Sequence, residues 1–407
     1  MRIIKVLTPI ALAALLAACS SEDGLKTETI DLNFYGCSDV EVKLATGGNT
    51  TRASVESDGA SLFEITGKDK LGIFMLATHE KGVNPTEAGI DWTASGDNQW
   101  SVWIDNDSAN AVKNGTVTDI RWAKTGHKYY YPIGNWYCYR FYGYYPRVDN
   151  ISYANDQVSA NFSELDGTKD VIWGRSLGAN PAGTDDEKCR YSAQYFRMAG
   201  FSDKYPSLAM DHKMMRIQFY VQGLEDADAE AGHKYDEANK MMVDTVEVIN
   251  MPTTATLVVA DRTTEGNNGK ITYDWENYLA NIGIRGEAGN PAADDGAFNK
   301  AASRINNDDL IAIGQPMLLP VLDADAAAVG ITKYLVNVTL RNTAGEIFRA
   351  ERPLDLVASS AFEAGKTYKV VLQIAGPKTV AMKATLVPWD DTDLNAVDPV
   401  VNPLTFN

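Results

Sequence analysis

The sequence predicts an all-β protein built from antiparallel β-sandwiches. Runs of about 3–10 residues, rich in β-branched or aromatic side chains, recur along the chain and are bounded by Gly, Asn, Asp or Pro. Helical patterns are few, and strands do not alternate with helices, which disfavours Rossmann folds and TIM barrels. Many short strands joined by polar loops are typical of sandwiches.

The strand-like runs fall into two series along the chain. The first series comprises Ile30–Tyr35, Val40–Leu44, Leu71–Leu76, Val102–Ile104, Val117–Trp122, Trp136–Tyr145 and Val171–Trp173. The second comprises Met214–Val221, Met242–Ile249, Ala255–Val259, Met317–Leu322, Tyr334–Leu340, Glu346–Ala350, Tyr368–Ile374 and Ala381–Val387. Between the series, residues 179–203 are polar and rich in loop-forming residues, so we place a domain boundary near Pro206.

Alternation within one strand predicts which of its faces is buried. In Tyr334–Leu340 the side chains of Val336, Val338 and Leu340 share one face, so this face is expected to point to the core. The helical patterns are a charged, Ala-rich stretch at Glu225–Lys240 and a short one at Asp323–Val329.

Composition excludes some classes of partner. The chain has 407 residues and a formal net charge of -17, and its Lys and Arg residues form no cluster. Nucleic-acid binding needs clustered cations that neutralise phosphates, so nucleic acid is not a predicted partner. The length is that of two or three domains, and we expect two, at residues 30–205 and 206–407.

The N-terminus has the pattern of a bacterial lipoprotein signal. A basic start, Met1–Lys5, precedes an apolar segment, Val6–Leu15, which is too short to span a membrane. Leu16-Ala17-Ala18-Cys19 then resembles a lipobox, which predicts removal of residues 1–18 and acylation of Cys19. An ordinary signal peptide with an incidental Cys is the alternative. Residues 19–29 are expected to form a tether, and its start, Ser20–Asp23, resembles a surface-export signal.

The remaining cysteines are Cys37, Cys138 and Cys189. Their spacings are wide and no CxxC occurs, so zinc and thioredoxin-type sites are not predicted. One disulfide in an oxidising compartment and buried free thiols both fit.

No motif predicts a catalytic, cofactor-binding or metal site. Residues 174–178 match G-x-S-x-G around Ser176, but Pro181 and Gly183 follow where the motif needs a helix. The four histidines form no paired spacing. Acidic runs such as Asp105–Asp107 do not match the EF-hand spacing, and solvated turns are the simpler interpretation.

Aromatic residues are densest at Tyr129–Tyr145, where ten of seventeen residues are Tyr, Trp or Phe. Both faces of this strand carry rings, which indicates a central sandwich strand covered by loops on one side. An exposed platform for stacking sugars is the functional alternative.

Taken in order, several segments resemble the fimbrillin family of pilin precursors. Besides the lipobox at Cys19, the resemblance is carried by Thr51–Ala53, Ile65–Met75, Tyr130–Pro132, Phe141–Pro146, Leu208–Met214, Phe362–Tyr368 and Val387–Trp389. The resemblance implies two transthyretin-like β-sandwich domains. It also implies export to the outer-membrane surface, cleavage by a trypsin-like protease and growth of a filament by strand exchange between subunits.

Matched to this chain, the resemblance makes Cys19 the lipidated residue and Arg52–Ala53 the cleavage site, so residues 30–52 form a candidate cleaved segment. Other fimbrial subunits and the protease are the expected partners, no cofactor or catalytic residue is expected, and no receptor is identified. Pro399 and Pro403 interrupt the expected donor strand, the C-terminal tail. Its apolar residues are Val397, Val400, Val401, Leu404 and Phe406.

Three functional alternatives stay open at this point. The chain is a polymerising fimbrial subunit, an anchor or tip subunit that keeps its lipid, or a monomeric glycan-binding surface lipoprotein. Burial of the Tyr129–Tyr145 rings would remove the only sugar site that the sequence offers. A strand within residues 30–44 that fills a groove would favour the polymerising subunit.

Overall fold

The structure is a computed structural model, and it is nearly all β. It describes residues 28–30, 42–44, 70–80, 90–93, 100–114, 117–124, 129, 131–133, 137–154, 156–176, 191, 206–223, 242–285, 303–304, 310–342, 344–354, 361–376 and 379–387. The all-β prediction is confirmed. The predicted helix at Glu225–Lys240 lies outside these residues, as do most of Ile30–Tyr35, Cys19, Arg52 and the C-terminal tail.

The strands are numbered in chain order. The first eleven are β1 (Glu28–Ile30), β2 (Val42–Leu44), β3 (Leu71–Glu80), β4 (Val102–Asn114), β5 (Val117–Trp122), β6 (Tyr131–Ile133), β7 (Tyr137–Tyr145), β8 (Ile151–Ala154), β9 (Gln157–Phe162), β10 (Ile172–Ser176) and β11 (Ser207–His212). The next eleven are β12 (Met215–Gly223), β13 (Met242–Pro252), β14 (Ala255–Asp261), β15 (Ile271–Tyr273), β16 (Leu279–Gly283), β17 (Ser303–Arg304), β18 (Ile311–Leu319), β19 (Leu335–Arg341), β20 (Ile347–Pro353), β21 (Thr367–Gly376) and β22 (Thr379–Val387).

One sheet of the first half closes into a barrel. Its strand order is β10-β11-β2-β5-β4-β3-β7, and β10 pairs with β7 to complete the ring. The pairs are antiparallel except β11 with β2, which run parallel. Separately, β1 and β6 form a two-stranded sheet.

A four-stranded sheet, β15-β14-β9-β8, lies against the outside of the barrel. Tyr144 of β7 meets Phe162 of β9 edge to face at 6.1 Å. The Trp173 indole of β10 donates a hydrogen bond to the Val259 carbonyl of β14 at 2.9 Å. At Gly269 (φ +75°) an added Cβ would fall 2.3 Å from the Trp173 ring, so only glycine allows this approach.

The second half forms a sandwich of two further sheets. One has the order β18-β12-β21-β22 and the other β16-β13-β19-β20, with β17 beside β13. Phe362 packs its ring against Tyr334, at the edge of the second sheet, and against Tyr368 of the first. The predicted alternation of Tyr334–Leu340 is confirmed, since Val336, Val338 and Leu340 are buried and their neighbours are not.

The short helix predicted at Asp323–Val329 is confirmed as α1 (Ala324–Ala328). Asp323 caps it by accepting a hydrogen bond from the Ala326 amide at 2.9 Å. Among the described residues, no helix is long and apolar enough to cross a bilayer.

Two sheets join strands from both sides of residue 206. In the barrel, β11 pairs with β10, and in the outer sheet β14 pairs with β9. The buried hydrophobic residues of both halves also form one continuous core. The domain limits at residues 30–205 and 206–407 stay a prediction.

Candidate functional site

Among the barrel strands as the structure describes them, β2 is the shortest. β2 fills the space between β5 and β11, and we call these three strands the seam. Along β11, β2 pairs through Lys43 with Ser207 and through Leu44 with Leu208. Along β5, its described pairs are Val42 with Ile120 and Lys43 with Asp119. Three residues form few backbone hydrogen bonds, so the described part of β2 closes the barrel with a small number of bonds to each neighbour.

The two neighbours of β2 are firmly held on their other sides. β5 pairs with β4 along its whole length, from Val117 to Trp122. β11 pairs with β10 from Leu208 to His212. Removal of β2 would therefore leave two ordered strands with facing, unpaired backbone edges.

Apolar side chains line the barrel next to the seam. Leu208 and Met210 of β11 are buried and point at Gly143 of β7. A Cβ on Gly143 would lie 2.5 Å from Leu208 Cδ1 and 3.2 Å from Ile73 Cδ1. Ile120 of β5 is also buried. The space between β5 and β11 thus offers backbone hydrogen bonds at its edges and an apolar floor, which suits an extended strand.

The aromatic strand is core, as its alternating rings predicted. Tyr139, Phe141 and Tyr145 on one face of β7 are buried, and so are Tyr142 and Tyr144 on the other. One face of this strand was predicted to be covered by loops. The face that carries Tyr142 and Tyr144 is instead covered by the outer sheet. Among the described rings of Tyr129–Tyr145, those of β7 offer no exposed surface for stacking sugars.

Three tyrosine hydroxyls donate hydrogen bonds to the acidic run at residues 105–107. Each of its side chains is bonded by a phenol: Tyr153 on Asp105, Tyr144 on Asn106 at 2.7 Å and Tyr129 on Asp107 at 2.8 Å. Burial raises the pKa of all three phenols, and the neighbouring carboxylates raise it further at Tyr129 and Tyr153. The tyrosines therefore stay protonated donors, and the run anchors β4 to the segments that carry them.

Ser176 of the G-x-S-x-G match and the histidine His212 both form hydrogen bonds within the fold. The Ser176 hydroxyl is buried and accepts a hydrogen bond from the Phe141 amide at 3.2 Å, so it ties β10 to β7. His212 bonds the Asp170 carboxylate through Nδ1, and both side chains are buried. Within the described part of the chain, no group of three His, Cys, Asp or Glu side chains could hold a metal ion.

Cys138 is buried in β7 and is disulfide-bonded. The chain's other cysteines are Cys19, Cys37 and Cys189, all outside the described residues, so its partner lies there. One disulfide therefore exists, as one of the two sequence interpretations allowed.

The residues for which the sequence predicts a function lie outside the part of the chain that the structure describes. These are Cys19, Arg52, Ala53 and the tail residues Val397, Val400, Val401, Leu404 and Phe406. The structure does describe the strand that precedes Arg52, which is β2. Sequence reasoning missed β11 on the other side of the seam, although Leu208, Met210 and His212 alternate with polar or small residues as a half-buried strand does.

Comparison with known proteins gives a family match and matches to several solved structures. The family model described as "Fimbrillin-like" matches residues 51–389. No curated protein matches the sequence.

Three of the solved structures that match are the following. A protein described as a cell adhesion protein from Bacteroides uniformis is 14% identical, with TM-score 0.44, over 86% of this chain and 98% of that one. Another from Parabacteroides distasonis is 11% identical, with TM-score 0.41, over 86% and 96%. The tip fimbrial protein Mfa3 from Porphyromonas gingivalis is 9% identical, with TM-score 0.35, over 86% and 100%.

The family match alone carries the assignment. It supports a fimbrial or adhesion subunit at the cell surface, in agreement with the resemblance drawn from the motifs. Since the match spans well over half of the sequence, the chain belongs to the fimbrillin-like family.

Proposed function

We propose that the protein is a structural subunit of surface fimbriae that polymerises by strand exchange and supports adhesion. It is made as an outer-membrane lipoprotein acylated at Cys19, and a trypsin-like protease cuts it between Arg52 and Ala53. No catalytic step is assigned to the chain itself. Its partners are other fimbrial subunits, the protease and the membrane.

The position of β2 carries this proposal. β2 lies upstream of Arg52 in the sequence, so a cut there separates it covalently from the rest of the barrel. After the cut, β2 is held by its pairs with β5 and β11 and no longer by a chain connection. Dissociation of β2 from the barrel is then favoured when the concentration of the released segment is low. The vacated seam supplies two backbone edges and an apolar floor.

The incoming strand is proposed to be the C-terminal tail of another subunit. Its apolar residues between Val397 and Phe406 can occupy alternate positions of an extended strand, while Pro399 and Pro403 restrict the length of the ladder. Contacts of this head-to-tail kind do not close on themselves, so they extend a filament.

A cleavage-site variant tests the proposal. The full precursor carrying Arg52→Ala should keep an N-terminus at acylated Cys19 and remain monomeric in cells that hold the maturation protease. The unaltered chain recovered from fimbriae should begin at Ala53. Arg349→Ala, on the exposed face of β20, is a matched control that should be cut and should polymerise normally.

Two outcomes of this experiment would overturn the proposal. One is a fimbrial chain that still begins at Cys19, which would favour an anchor subunit or a monomeric surface lipoprotein. The other is polymerisation of Arg52→Ala to the level of the unaltered chain.

The lipid-retaining anchor or tip subunit is the second candidate. The two prolines of the tail favour it, since an end subunit does not have to donate a strand. Mixing Ala53-started subunits that lack residues 395–407 with complete ones separates the roles. A donating subunit self-assembles when it is complete and stops doing so on truncation, whereas an end subunit does not self-assemble in either form.

A further inference from the structure

Two irregular steps in β4 bring an aromatic and an acidic side chain to the surface of the barrel. The strand register with β3 shifts twice within residues 102–107 of β4. At the first shift Trp103 is an extra residue, and the second lies next to Asn106, whose φ is +45°. Ile104 is buried, whereas Trp103 is half-buried and Asp105 is exposed. Since residues two apart in a strand share a face, Trp103 and Asp105 lie side by side at the surface.

Two further aromatic rings join these residues. Trp100, in the turn before β4, stacks on Trp103 with ring centres 5.6 Å apart and an interplanar angle of 1°. Tyr153, on β8 of the outer sheet, donates a hydrogen bond to the Asp105 carboxylate. We call Trp100, Trp103, Asp105 and Tyr153 the aromatic patch. It lies where the barrel meets the outer sheet, and ligand sites are common at such junctions between packed units.

The rings of the patch are accessible and are held in a fixed orientation. Tyr153 is 39% exposed, and Trp100 is half-buried. The stack on Trp103 orients the Trp100 indole, and the hydrogen bond to Asp105 holds the far end of the Tyr153 ring. Rings that are already held lose little side-chain freedom when a ligand covers them, so more of the contact energy remains for binding.

Polar groups of both kinds border the rings. The Asp105 carboxylate is an exposed acceptor. Arg147 donates through Nε to the Asn106 carbonyl at 2.8 Å, next to Asp105, and through Nη1 to Asp149 at 2.6 Å. A ligand at this surface therefore meets hydrogen-bond acceptors and donors beside flat apolar rings.

The charges around the patch favour a neutral ligand. Asp105 and Asp149 disfavour an anion, while Arg147 offsets one of these two charges and weakens the attraction of a cation. A sugar ring carries no charge. Its apolar C–H face packs on an aromatic ring, and its hydroxyls both donate and accept hydrogen bonds. Sugars therefore match the rings, the acceptors and the donors of the patch together.

We propose that the aromatic patch binds a neutral glycan, with sugar rings packed on Tyr153 and Trp100 and a hydroxyl bonded to Asp105. The patch lies outside the Tyr129–Tyr145 segment, whose rings in β7 are buried. The biological role of this site rests on the adhesive part of the proposed function, whereas binding itself does not depend on polymerisation. In a filament the patch recurs on every subunit, so a millimolar affinity at each site gives tight attachment to a surface with many glycans.

The test is calorimetric titration of the full uncleaved chain with neutral oligosaccharides of glucose, galactose, mannose and N-acetylglucosamine. At least one of them should bind, and Tyr153→Ala and Trp100→Ala should each weaken that binding at least about tenfold. Asp105→Asn should weaken it several-fold, because a charged acceptor becomes a neutral one. Tyr278→Ala is the matched control, since that ring is 71% exposed in the second half of the chain and its loss should leave binding unchanged.

The exposed positions keep the proposal testable if Trp100→Ala is poorly folded. Tyr153 and Asp105 are both exposed, so their variants should keep the fold, which urea denaturation checks. High salt should leave glycan binding unchanged, since the ligand is neutral.

Three outcomes would overturn the proposal. They are no binding of any of the oligosaccharides at millimolar concentration, binding that survives all three patch substitutions, and salt-sensitive binding of trilysine at the patch in place of a sugar. Because the chain is uncleaved and monomeric, a failure to polymerise would refute the proposed function and leave glycan binding unaffected. A failure to bind glycans would leave strand exchange unaffected.

Discussion

Two pairs of described strands run parallel in this protein, and they differ in how firmly they are held. In the barrel, the described residues of β2 pair with β11 at Lys43 and Leu44. In the sandwich, β12 and β21 stay in register from Arg216 to Gly223, and side chains on both faces are buried. Parallel pairs need a long connection, so each brings together distant segments. The pair of β2 and β11 is therefore suited to opening, whereas the pair of β12 and β21 is suited to stabilising the fold.

The largest effect is expected in the firm pair. Phe219→Ala removes a fully buried ring from β12 and should lower the free energy of unfolding by about 3–5 kcal/mol. Urea denaturation followed by fluorescence measures this change. Tyr278→Ala is the control, since that ring is 71% exposed and its loss should change the free energy of unfolding by less than about 0.5 kcal/mol. Equal effects of the two substitutions would refute the view that this sheet holds the fold.

A smaller and local effect is expected at the seam. Lys43→Pro removes a backbone donor from the middle of β2 and should weaken its pairing by about 1 kcal/mol. Amides of β5 and β11 should then exchange several-fold faster, while those of β12 and β21 do not change. Lys43→Ala keeps the amide and is the matched control. The same exchange in both variants would show that β2 pairing does not limit opening of the seam.

The smallest effect concerns acid. Burial acts to raise the pKa of Asp166, but hydrogen bonds from Thr168 and the charge of Arg285 outweigh it and hold the pKa below its ordinary value. The folded chain therefore binds this proton less readily than the unfolded chain does. Its stabilisation is present above about pH 4 and is lost as the pH falls through the lowered pKa.

The prediction for Asp166 concerns the loop that joins the first half of the chain to the sandwich. The Gly167 carbonyl next to it accepts a hydrogen bond from the Leu318 amide of β18, so this loop joins the first half to the sandwich. In urea titrations from pH 7 to pH 2.5, the stability difference between the unaltered chain and Asp166→Asn should shrink in the acid range. Thr168→Val, which removes the hydroxyl donor and keeps the amide donor, should also reduce the dependence of stability on pH. An unchanged difference throughout would contradict the assignment.

Local patterns predicted the fold class and most strands. Val117–Trp122 and the alternating Tyr334–Leu340 could be predicted because β-branched and aromatic residues dominate them. Gln157–Phe162 could not, since it is rich in Ser, Ala and Asn and is buried only because β14 pairs with it. The strand that starts at Val102 was predicted to end at Ile104 but continues to Asn114. Asp105–Asp107 can stay in it because tyrosines bond the polar side chains.

The candidate site was predictable only in part. Val40–Leu44 reads as a strand, and its position before Arg52 is visible in the sequence. Its insertion between β5 and β11 depends on pairing with Ser207 and Leu208, which are about 160 residues further along the chain. No local pattern reports such a distant parallel partner. The burial of Arg216 and Lys369 was hidden for a similar reason, because both look like ordinary solvated charges until the strand register places them in one buried layer.

The disulfide at Cys138 sets an order of events in biogenesis. Disulfides form outside the reducing cytosol, and Cys138 lies in β7, against β3 and β10 in the barrel wall. The disulfide in the barrel wall therefore forms only after the chain has left the cytosol. A precursor held in the cytosol would carry a free thiol in its barrel, so the thiol content of trapped and exported chains reports how far maturation has progressed.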